Sequence, residues 1–337
     1  MDVRRDADGF SIPATPASNR SRSLAGAGVG SIRPSDMSGA TPTSGRSSGA
    51  LVQDPFYRVR NLALNGICMR HPLETLPTHV EGFVDTVLQP RGSPVPSPDE
   101  IKRDRPLYDL LMGAAESQVE QYFATNINPL NQLSTGCIKC DKRQPMLKET
   151  VPTREPRFRI SNPIPDLLYG YDPSQVFHGR QSRFMYANNE IDGTANNLGL
   201  MFPFLVVEFK GDGPTGGGTM WVAANQCLGA SASCVHLIER LNDGLRRCKR
   251  GEGGKVNSAA FSLTINCTEA RLFVSWKDED PDQALSMQHV KSFLLHDPEQ
   301  HANFRQCVRN IVDWGEGQRL REIRDCLDML LEGDQAG

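Results

Sequence analysis

The clearest indication of the fold of this chain is the stretch Phe202-Pro-Phe-Leu-Val-Val-Glu-Phe-Lys210. It is a short apolar run, rich in β-branched residues and ended by Gly211, and this pattern predicts a buried β-strand. Because side chains alternate along a strand, Glu208 and Lys210 share one face and Phe209 lies on the other. A carboxylate and an ammonium group at the end of such a strand are costly to bury unless they meet each other, a metal or a substrate phosphate.

The segments on either side of this strand predict alternating helices and strands. Apolar residues at helical spacing predict helices over residues 54–89, 104–125, 219–245, 284–296 and 302–331, with breaks at His71-Pro72 and near Gly315. Extended segments are predicted over 158–171, 259–265 and 271–276, and a polar, proline-punctuated loop over 126–156. This order predicts an α/β domain with a mixed sheet flanked by helices.

Composition divides the chain of 337 residues into unequal parts. Residues 1–50 contain 10 Ser, 7 Gly, 4 Pro and 3 Thr, so we expect a disordered arm that cannot bury enough apolar surface to order itself. We expect a helical extension with a proline-rich connector over 51–98 and the main domain over 99–337. No apolar run approaches the ~18 residues of a membrane span, and no secretory signal is recognisable.

Nine cysteines, an odd number scattered through the predicted core, favour reduced thiols in the nucleus or cytoplasm over a disulfide scaffold. Cys137 and Cys140 have the spacing of zinc ligands, but no second pair follows, so we expect a loop with thiols rather than a zinc site. Gly211-Asp-Gly-Pro-Thr-Gly216 matches a dinucleotide-binding fingerprint. Pro214 and the glycine run predict a loop there instead of the start of a helix, which argues against a bound dinucleotide.

A proline-aspartate pair, Pro165-Asp166, precedes the Glu208-x-Lys210 motif, and the two lie on successive extended segments. Together with the helix–strands–helix–strand order, this resembles the PD-(D/E)XK nuclease superfamily, whose core is of the restriction-endonuclease type. Longer strings are similar to an uncharacterised fungal family that is classed as PD-(D/E)XK nuclease-like, over about residues 51–331. They are Tyr57-Arg58, Asn65-Gly66-Ile67, Arg91-Gly-Ser-Pro-Val-Pro-Ser97, Pro165-Asp-Leu-Leu-Tyr-Gly-Tyr171, Phe204–Lys210, Asn225-Gln226 and Val312-Asp-Trp-Gly315.

The resemblance implies a site that hydrolyses phosphodiester bonds with Mg²⁺ or Mn²⁺. Asp166 and Glu208 would hold the metal, with the Phe209 backbone carbonyl as a further ligand. Lys210 would orient the attacking water and counter the developing charge.

In that superfamily the first core helix often adds a carboxylate, here Glu116 or Glu120, and the helix after the Glu-x-Lys strand often contributes a residue, here Gln226. The long stretch between the two motifs leaves Asp192 as a rival of Asp166 for the metal.

The charge distribution favours a nucleic-acid partner. The net charge of −3 excludes a bulk polycation, yet residues 139–159 hold seven Lys and Arg against three acids, and residues 240–255 hold six against two. Arg180 and Arg183, beside Phe184 and Tyr186, are further candidates for contacts with phosphates and bases. We therefore expect a metal-dependent nuclease or nuclease-like nucleic-acid-binding protein. The alternative is a catalytically inactive binding or scaffold protein on the same fold.

Overall fold

The computed structural model describes residues 51–92, 96–132, 136–214, 218–248, 255–279 and 285–334. The predicted arm, residues 1–50, lies outside them. Within the described residues, seven strands form one mixed sheet in the order β1-β7-β6-β5-β4-β3-β2. The strands are β1 Ile67–Met69, β2 Ile138–Lys142, β3 Leu167–Tyr171, β4 Met201–Phe209, β5 Ala260–Ile265, β6 Glu269–Lys277 and β7 Leu285–Leu294. The α/β class and the mixed sheet flanked by helices are thus confirmed.

The helices lie between and after the strands. They are α1 Thr78–Leu88, α2 Pro98–Lys102, α3 Arg105–Leu110, α4 Glu116–Tyr122, α5 Pro173–Val176, α6 Gly179–Ala187, α7 Met220–Arg247, α8 Pro298–Trp314 and α9 Leu320–Asp334. Short π-helical turns cover Tyr57–Leu62, Phe123–Ile127 and Gly315–Arg319, and 3₁₀ turns cover Ala63–Asn65, Pro129–Gln132 and Lys148–Thr150. Among these described elements, no helix is both long and apolar enough to cross a membrane.

The pairing of the strands follows from their connections. β2, β3 and β4 form an antiparallel run, and β4 then pairs in parallel with β5. A parallel pair needs a crossover, and α7 supplies it. β5, β6 and β7 continue antiparallel, while β1 joins the far edge in parallel with β7. All nine residues of β4 are buried, as its apolar sequence predicts.

Helices pack on this sheet through apolar and small side chains. α7 begins at Met220, directly after the N-cap Thr219, whose hydroxyl accepts the amide of Val222 at 3.3 Å. Small residues in its middle allow close packing, and the Ser231 hydroxyl lies 2.7 Å from that of Ser275 in β6. α1 and α8 are joined to β5 by aromatic contacts, since Phe83 packs on both Phe261 and Trp314 with ring centroids 5.0 and 4.3 Å apart.

Two predicted helices are wrong. Residues 285–294 form strand β7 instead of a helix, because backbone pairing with β6 and β1 outweighs the local helical spacing. Residues 67–69 form β1, because Gly66, with φ of +75°, ends the preceding turn and redirects the chain into the sheet. The N-terminal segment that we expected to be a helical extension therefore contributes a strand to the same sheet.

Two further predictions need correction. The predicted helix over 104–125 is broken between α3 and α4, where Gly113 has φ of +93°. The predicted loop over 126–156 contains β2, whose pairing with β3 is not visible in its polar sequence. The strand pair at 259–265 and 271–276 is confirmed, and so is the C-terminal helix with its interruption at Gly315.

Candidate active site at the ends of β3 and β4

The antiparallel pairing of β3 and β4 brings the two predicted motifs together. Leu167 of β3 pairs with Val207 of β4, so the next residues outward are Asp166 and Glu208. Lys210 lies two residues after Glu208. Its amide donates to the carbonyl of Ile265 at 2.8 Å, which continues the parallel pairing of β4 with β5. Asp166, Glu208 and Lys210 are 7%, 1% and 5% exposed. Three charged residues are therefore buried at one end of the sheet.

Hydrogen bonds to the backbone hold two of these side chains. Asp166 Oδ2 accepts the amide of Phe209 at 2.8 Å, and Lys210 Nζ donates to the Phe209 carbonyl at 2.6 Å. Lys210 Nζ also lies 3.8 Å from Glu208 Oε2, too far for a hydrogen bond. Glu208 Oε2 is buried and has no hydrogen-bond partner. Such an acceptor is costly unless something else pairs with it.

Burial raises the pKa of Glu208 well above the ordinary carboxyl value, the Asp166 and Glu116 carboxylates add to this rise, and Lys210 opposes it. Burial also raises the pKa of Glu116, with Lys210 lowering it and Asp166 raising it. Burial is the largest cause of both shifts, so the site disfavours a charged Glu208 carboxylate that has no cation beside it. A proton or a further cation at Glu208 relieves this cost.

The structure distinguishes between Glu116 and Glu120, the two candidates for an additional carboxylate on the first core helix. Glu116 is the first residue of α4, and its Oε2 lies 3.7 Å from Lys210 Nζ. Glu120, one turn later, is paired with Arg143 Nη2 at 2.6 Å and Lys142 Nζ at 3.4 Å. Glu116 is therefore the carboxylate beside Lys210, while Glu120 has cationic partners of its own.

Arg143 is a site residue that sequence reasoning did not single out. Its Nε lies 3.2 Å from Asp166 Oδ1, in addition to the contact with Glu120. Its backbone has φ of +49°, a left-handed conformation that is unusual for a residue other than glycine, and its amide donates to the carbonyls of Pro165 and Asp166. Strained residues of this kind cluster at functional sites. The available signal was only its place in the basic segment 139–159.

Two glycines of the loop after β4 allow α4 to approach the strand. A Cβ on Gly211 would lie 2.5 Å from the amide nitrogen of Glu116, and a Cβ on Gly213 would lie 2.8 Å from the carbonyl oxygen of Gly113. These two glycines of the fingerprint-like motif thus have a packing role.

Gly211→Ala is expected to lower the free energy of unfolding by about 1–3 kcal/mol, because its methyl group collides with backbone instead of a movable side chain. Urea denaturation measures this effect. Gly82→Ala is the matched control, since Gly82 lies within α1 with nothing near its Cβ position and should be neutral or slightly stabilising. Equal stability of the two variants would contradict the close approach.

Residues 105–327 match a family model described as a domain of unknown function (DUF7924). The chain belongs to the DUF7924 family. No match is found among curated proteins or among solved structures. The matched segment of the DUF7924 domain includes Glu116, Arg143, Asp166, Glu208 and Lys210, so the whole cluster lies inside the family's common region.

Gln226, near the start of α7, lines a small cavity. It lines this cavity with Asn225 and Pro163, and its side-chain oxygen has no partner. The next residue, Cys227, is close enough to the cluster that Glu208 adds to the rise in its thiol pKa, after the larger effect of burial. Cys227 is thus the residue of α7 that faces the cluster, and the described contacts of Gln226 include none of Asp166, Glu208 and Lys210.

Other candidates lie away from the cluster. Asp192 Oδ1 accepts the amide and hydroxyl of Thr194, at 2.9 and 2.6 Å, and its described contacts include none of the three motif residues. Arg180 and Arg183 lie on α6, which follows the end of β3 opposite to Asp166. Cys140 lies in β2, and burial raises the pKa of its thiol to about 12, so it stays protonated at neutral pH.

Within the part of the DUF7924 chain that the structure describes, no group of three or more His, Cys, Asp or Glu side chains is arranged to hold a metal ion. The cluster instead presents two buried carboxyls, a third that is 31% exposed at Glu116, and the Phe209 carbonyl. Such a set can hold a hard cation that keeps several waters, and it can also bind a proton.

Proposed function

We propose that the chain is a metal-dependent nuclease of the PD-(D/E)XK type that hydrolyses phosphodiester bonds in nucleic acid. The observation that carries the proposal is the meeting of Asp166, Glu208 and Lys210 in one buried cluster, with one Glu208 oxygen that makes no hydrogen bond. The proposal combines this cluster with the resemblance of the sequence motifs to that superfamily.

The order of the elements supports the proposal. Helix α4 is followed by the antiparallel run β2, β3 and β4, then by α7 and by β5, which is parallel to β4. This is the helix–strands–helix–strand order of the superfamily. The positions of the motifs also support the proposal, since Asp166 directly precedes the middle strand of the antiparallel run and Glu208 lies near the end of the next.

The chemistry of the cluster fits Mg²⁺ or Mn²⁺. Asp166 and Glu208 would hold the ion, with the Phe209 carbonyl and Glu116 as further oxygen donors. Mg²⁺ is commonly bound by one or two carboxylates with several waters, so the cluster needs no third buried acid. Glu208 Oε2 is buried without a hydrogen bond, and its burial disfavours an unpaired charge, so a cation at this point would stabilise the carboxylate.

Each residue has a role that follows from its surroundings. A bound metal ion would supply a water of lowered pKa and neutralise charge on the phosphate. Lys210, held by the Phe209 carbonyl, would orient the attacking water and counter the charge that develops. Arg143 is half exposed beside Asp166, where its planar guanidinium can meet a phosphate.

The test is cleavage of single- and double-stranded DNA and RNA with Mg²⁺, Mn²⁺ or EDTA. We expect the wild type to cleave at least one substrate with metal, and Glu208→Gln to lose this activity by about 100-fold or more. Glu239→Gln is the matched control, because Glu239 is also a buried acid but pairs with Lys255 and Lys277. Identical behaviour of the wild type and Glu208→Gln would overturn the proposal.

A specific observation favours a second candidate, a non-catalytic nucleic-acid-binding protein on the same fold. Both oxygens of Asp166 have internal partners, in Arg143 and the Phe209 amide, and Lys210 occupies the Phe209 carbonyl. Groups of the protein thus already contact the Asp166 and Phe209 oxygens that a metal ion would need as ligands. This candidate predicts no cleavage by the wild type, with binding unchanged when Asp166, Glu208 and Lys210 are all replaced by alanine.

A further inference from the structure

An exposed tryptophan lies on the first turn of α7. Trp221 is the second residue of this helix and is 36% exposed, whereas Trp276 and Trp314 are 1% and 7% exposed. These are the three tryptophans of the chain. Trp221 is therefore the tryptophan whose ring a ligand in solution can contact.

The guanidinium group of Arg58 covers one face of the Trp221 ring, with its Cζ atom 5.2 Å from the ring centroid. Two hydrogen bonds to α7 hold it there, since Nη2 donates to the Trp221 carbonyl at 3.3 Å and Nε donates to Asn225 Oδ1. Asn225 is itself held in place, because its Nδ2 donates to the Val52 carbonyl at 2.8 Å. The arginine and the tryptophan thus form a preorganised pair, which loses little conformational freedom when it binds a ligand.

Arg58 has no carboxylate partner among the described residues. Its hydrogen bonds go to a backbone carbonyl and a neutral amide, and Nη1 makes none within the described part of the chain. Burial lowers the pKa of Arg58, and no carboxylate opposes this shift. By contrast, Arg143 contacts both Glu120 and Asp166. A half-buried guanidinium group without a counter-ion favours an anionic ligand.

This pair adjoins the cluster through the residues that precede α7. A Cβ on Gly218 would lie 3.4 Å from Lys210 Cδ, so Gly218 packs against the side chain of Lys210. Gly218 and Thr219 are both exposed. Trp221 follows Gly218 by three residues, so their Cα atoms are at most about 11 Å apart. A strand that fills a site of roughly 4–16 nucleotides can therefore extend from Lys210 to Trp221.

We propose that Trp221 and Arg58 form a stacking subsite for one unpaired base of a single nucleic-acid strand that continues to Asp166, Glu208 and Lys210. The exposed part of the Trp221 ring would stack on the base, and Arg58 Nη1 would bind a neighbouring phosphate. Every base has a π-face, so the subsite selects single strands without a preference for sequence. Bases of a duplex are already stacked on their neighbours. The inference rests on the proposed nucleic-acid substrate, and it makes Trp221 a binding residue with no part in bond breaking.

The first test follows the tryptophan emission of the full wild-type chain in EDTA during titration with single strands of about 12 nucleotides, as DNA or as RNA. Stacking on Trp221 quenches its emission, while Trp276 and Trp314 are too buried to respond. We expect quenching by at least one of the two strands, and none by the duplex of the same sequence or by an abasic strand that carries only phosphates. The quenching strand identifies the ligand as DNA or RNA. Trp221→Phe should remove the quenching but keep the affinity within about threefold, because phenylalanine also stacks on bases.

A second set of variants separates the aromatic ring from the charge. Trp221→Leu should weaken single-strand binding about tenfold, as the loss of one stacked base predicts. Arg58→Gln should also weaken it, and should reduce the slope of log affinity against log salt by about 0.7, the value for one phosphate contact on a single strand. Tyr186→Leu and Arg105→Gln are the matched controls, because Tyr186 is an exposed aromatic residue on α6 and Arg105 is an exposed arginine that already pairs with Asp109. Both should bind like the wild type.

Unchanged emission of the wild type with a strand bound, or wild-type affinity of Trp221→Leu, would overturn the subsite. So would equal quenching by the abasic strand or by an acidic peptide, because charge alone would then explain binding. A loss of affinity in Tyr186→Leu instead of Trp221→Leu would place the strand on α6. The wild-type titration needs no variant, so it decides the question even if Trp221→Leu does not fold.

Failure of this subsite differs from failure of the nuclease proposal. Metal-dependent cleavage that Glu208→Gln abolishes would stand without any stacking on Trp221. Conversely, quenching that Trp221→Phe removes, with no cleavage by the wild type, would support the subsite on a binding protein.

Discussion

Lys210→Met is expected to lower the rate of metal-dependent cleavage about a thousandfold, within the ~10²–10⁴-fold range of general acid–base groups. Lys210 Nζ lies 3.7 and 3.8 Å from the Glu116 and Glu208 carboxyls, and the Phe209 carbonyl holds it in place. Methionine keeps most of the buried stem but removes the charge and the donor. Single-turnover cleavage at saturating protein measures the effect on the chemical step, apart from binding.

Lys277→Met is the control, because Lys277 is also a strand lysine beside a buried acid, Glu239, at 3.5 Å, but lies on β6 away from the cluster. It should cleave at the wild-type rate. Nucleic-acid binding by Lys210→Met should stay within about twofold of the wild type, since its ammonium group is buried. If Lys210→Met cleaves as fast as Lys277→Met, Lys210 has no part in the reaction.

The core of the candidate site could be predicted because it depends on local rules. Alternation along β4 places Glu208 and Lys210, and a neighbouring antiparallel strand brings Asp166 to the same end. Arg143 could not be predicted in this way. It reaches Asp166 because β2 pairs with β3 and a left-handed residue turns the chain immediately after β2. The polar sequence around Arg143 contains no pattern that predicts the pairing of β2 with β3 or the turn after β2.

The same distinction between local sequence patterns and contacts distant in the sequence explains the errors in the predicted fold. β4 and α7 are long, strongly patterned elements, and both were predicted with accurate ends. β7 has apolar residues whose spacing also suits a helix, and only its pairing with β6 makes it a strand. Such pairing joins residues distant in the sequence, so a local pattern cannot decide it.

Several of the longer sequence strings that resemble a nuclease-like family lie away from the cluster, and these have mainly structural roles. Arg91 Nη1 lies 2.5 Å from Asp313 Oδ2, which ties the segment before α2 to α8. Asn65 Oδ1 accepts the amides of Arg154 and Glu155 at 2.8 and 2.9 Å, which fixes the chain ahead of β3. These strings therefore support the fold more than the chemistry, and activity must be judged from the cluster itself.

Glu208→Gln is expected to raise the free energy of unfolding by about 1–3 kcal/mol at pH 8 without metal, although we also expect it to abolish cleavage. Burial raises the pKa of Glu208 in the folded state above the 4.5 of an ordinary glutamate, and Asp166 and Glu116 add to the rise. Between the two pKa values the unfolded chain has lost the proton and the folded chain keeps it. Stability from this group is thus fully present below pH ~4.5 and is lost as the pH rises through the folded pKa.

Glutamine is neutral at every pH, so the variant should escape that loss. Urea denaturation in EDTA at pH 4.5 and pH 8 should show nearly equal stability of the two proteins at the lower pH and a more stable variant at the higher one. Glu239→Gln should behave in the opposite way, because it gives up the ion pairs with Lys255 and Lys277. A Glu208→Gln variant that is less stable than the wild type by the same amount at both pH values would mean that Lys210 already neutralises Glu208. Glu208 would then be stable in its charged form without a metal ion, and the argument for a metal at this site would fail with it.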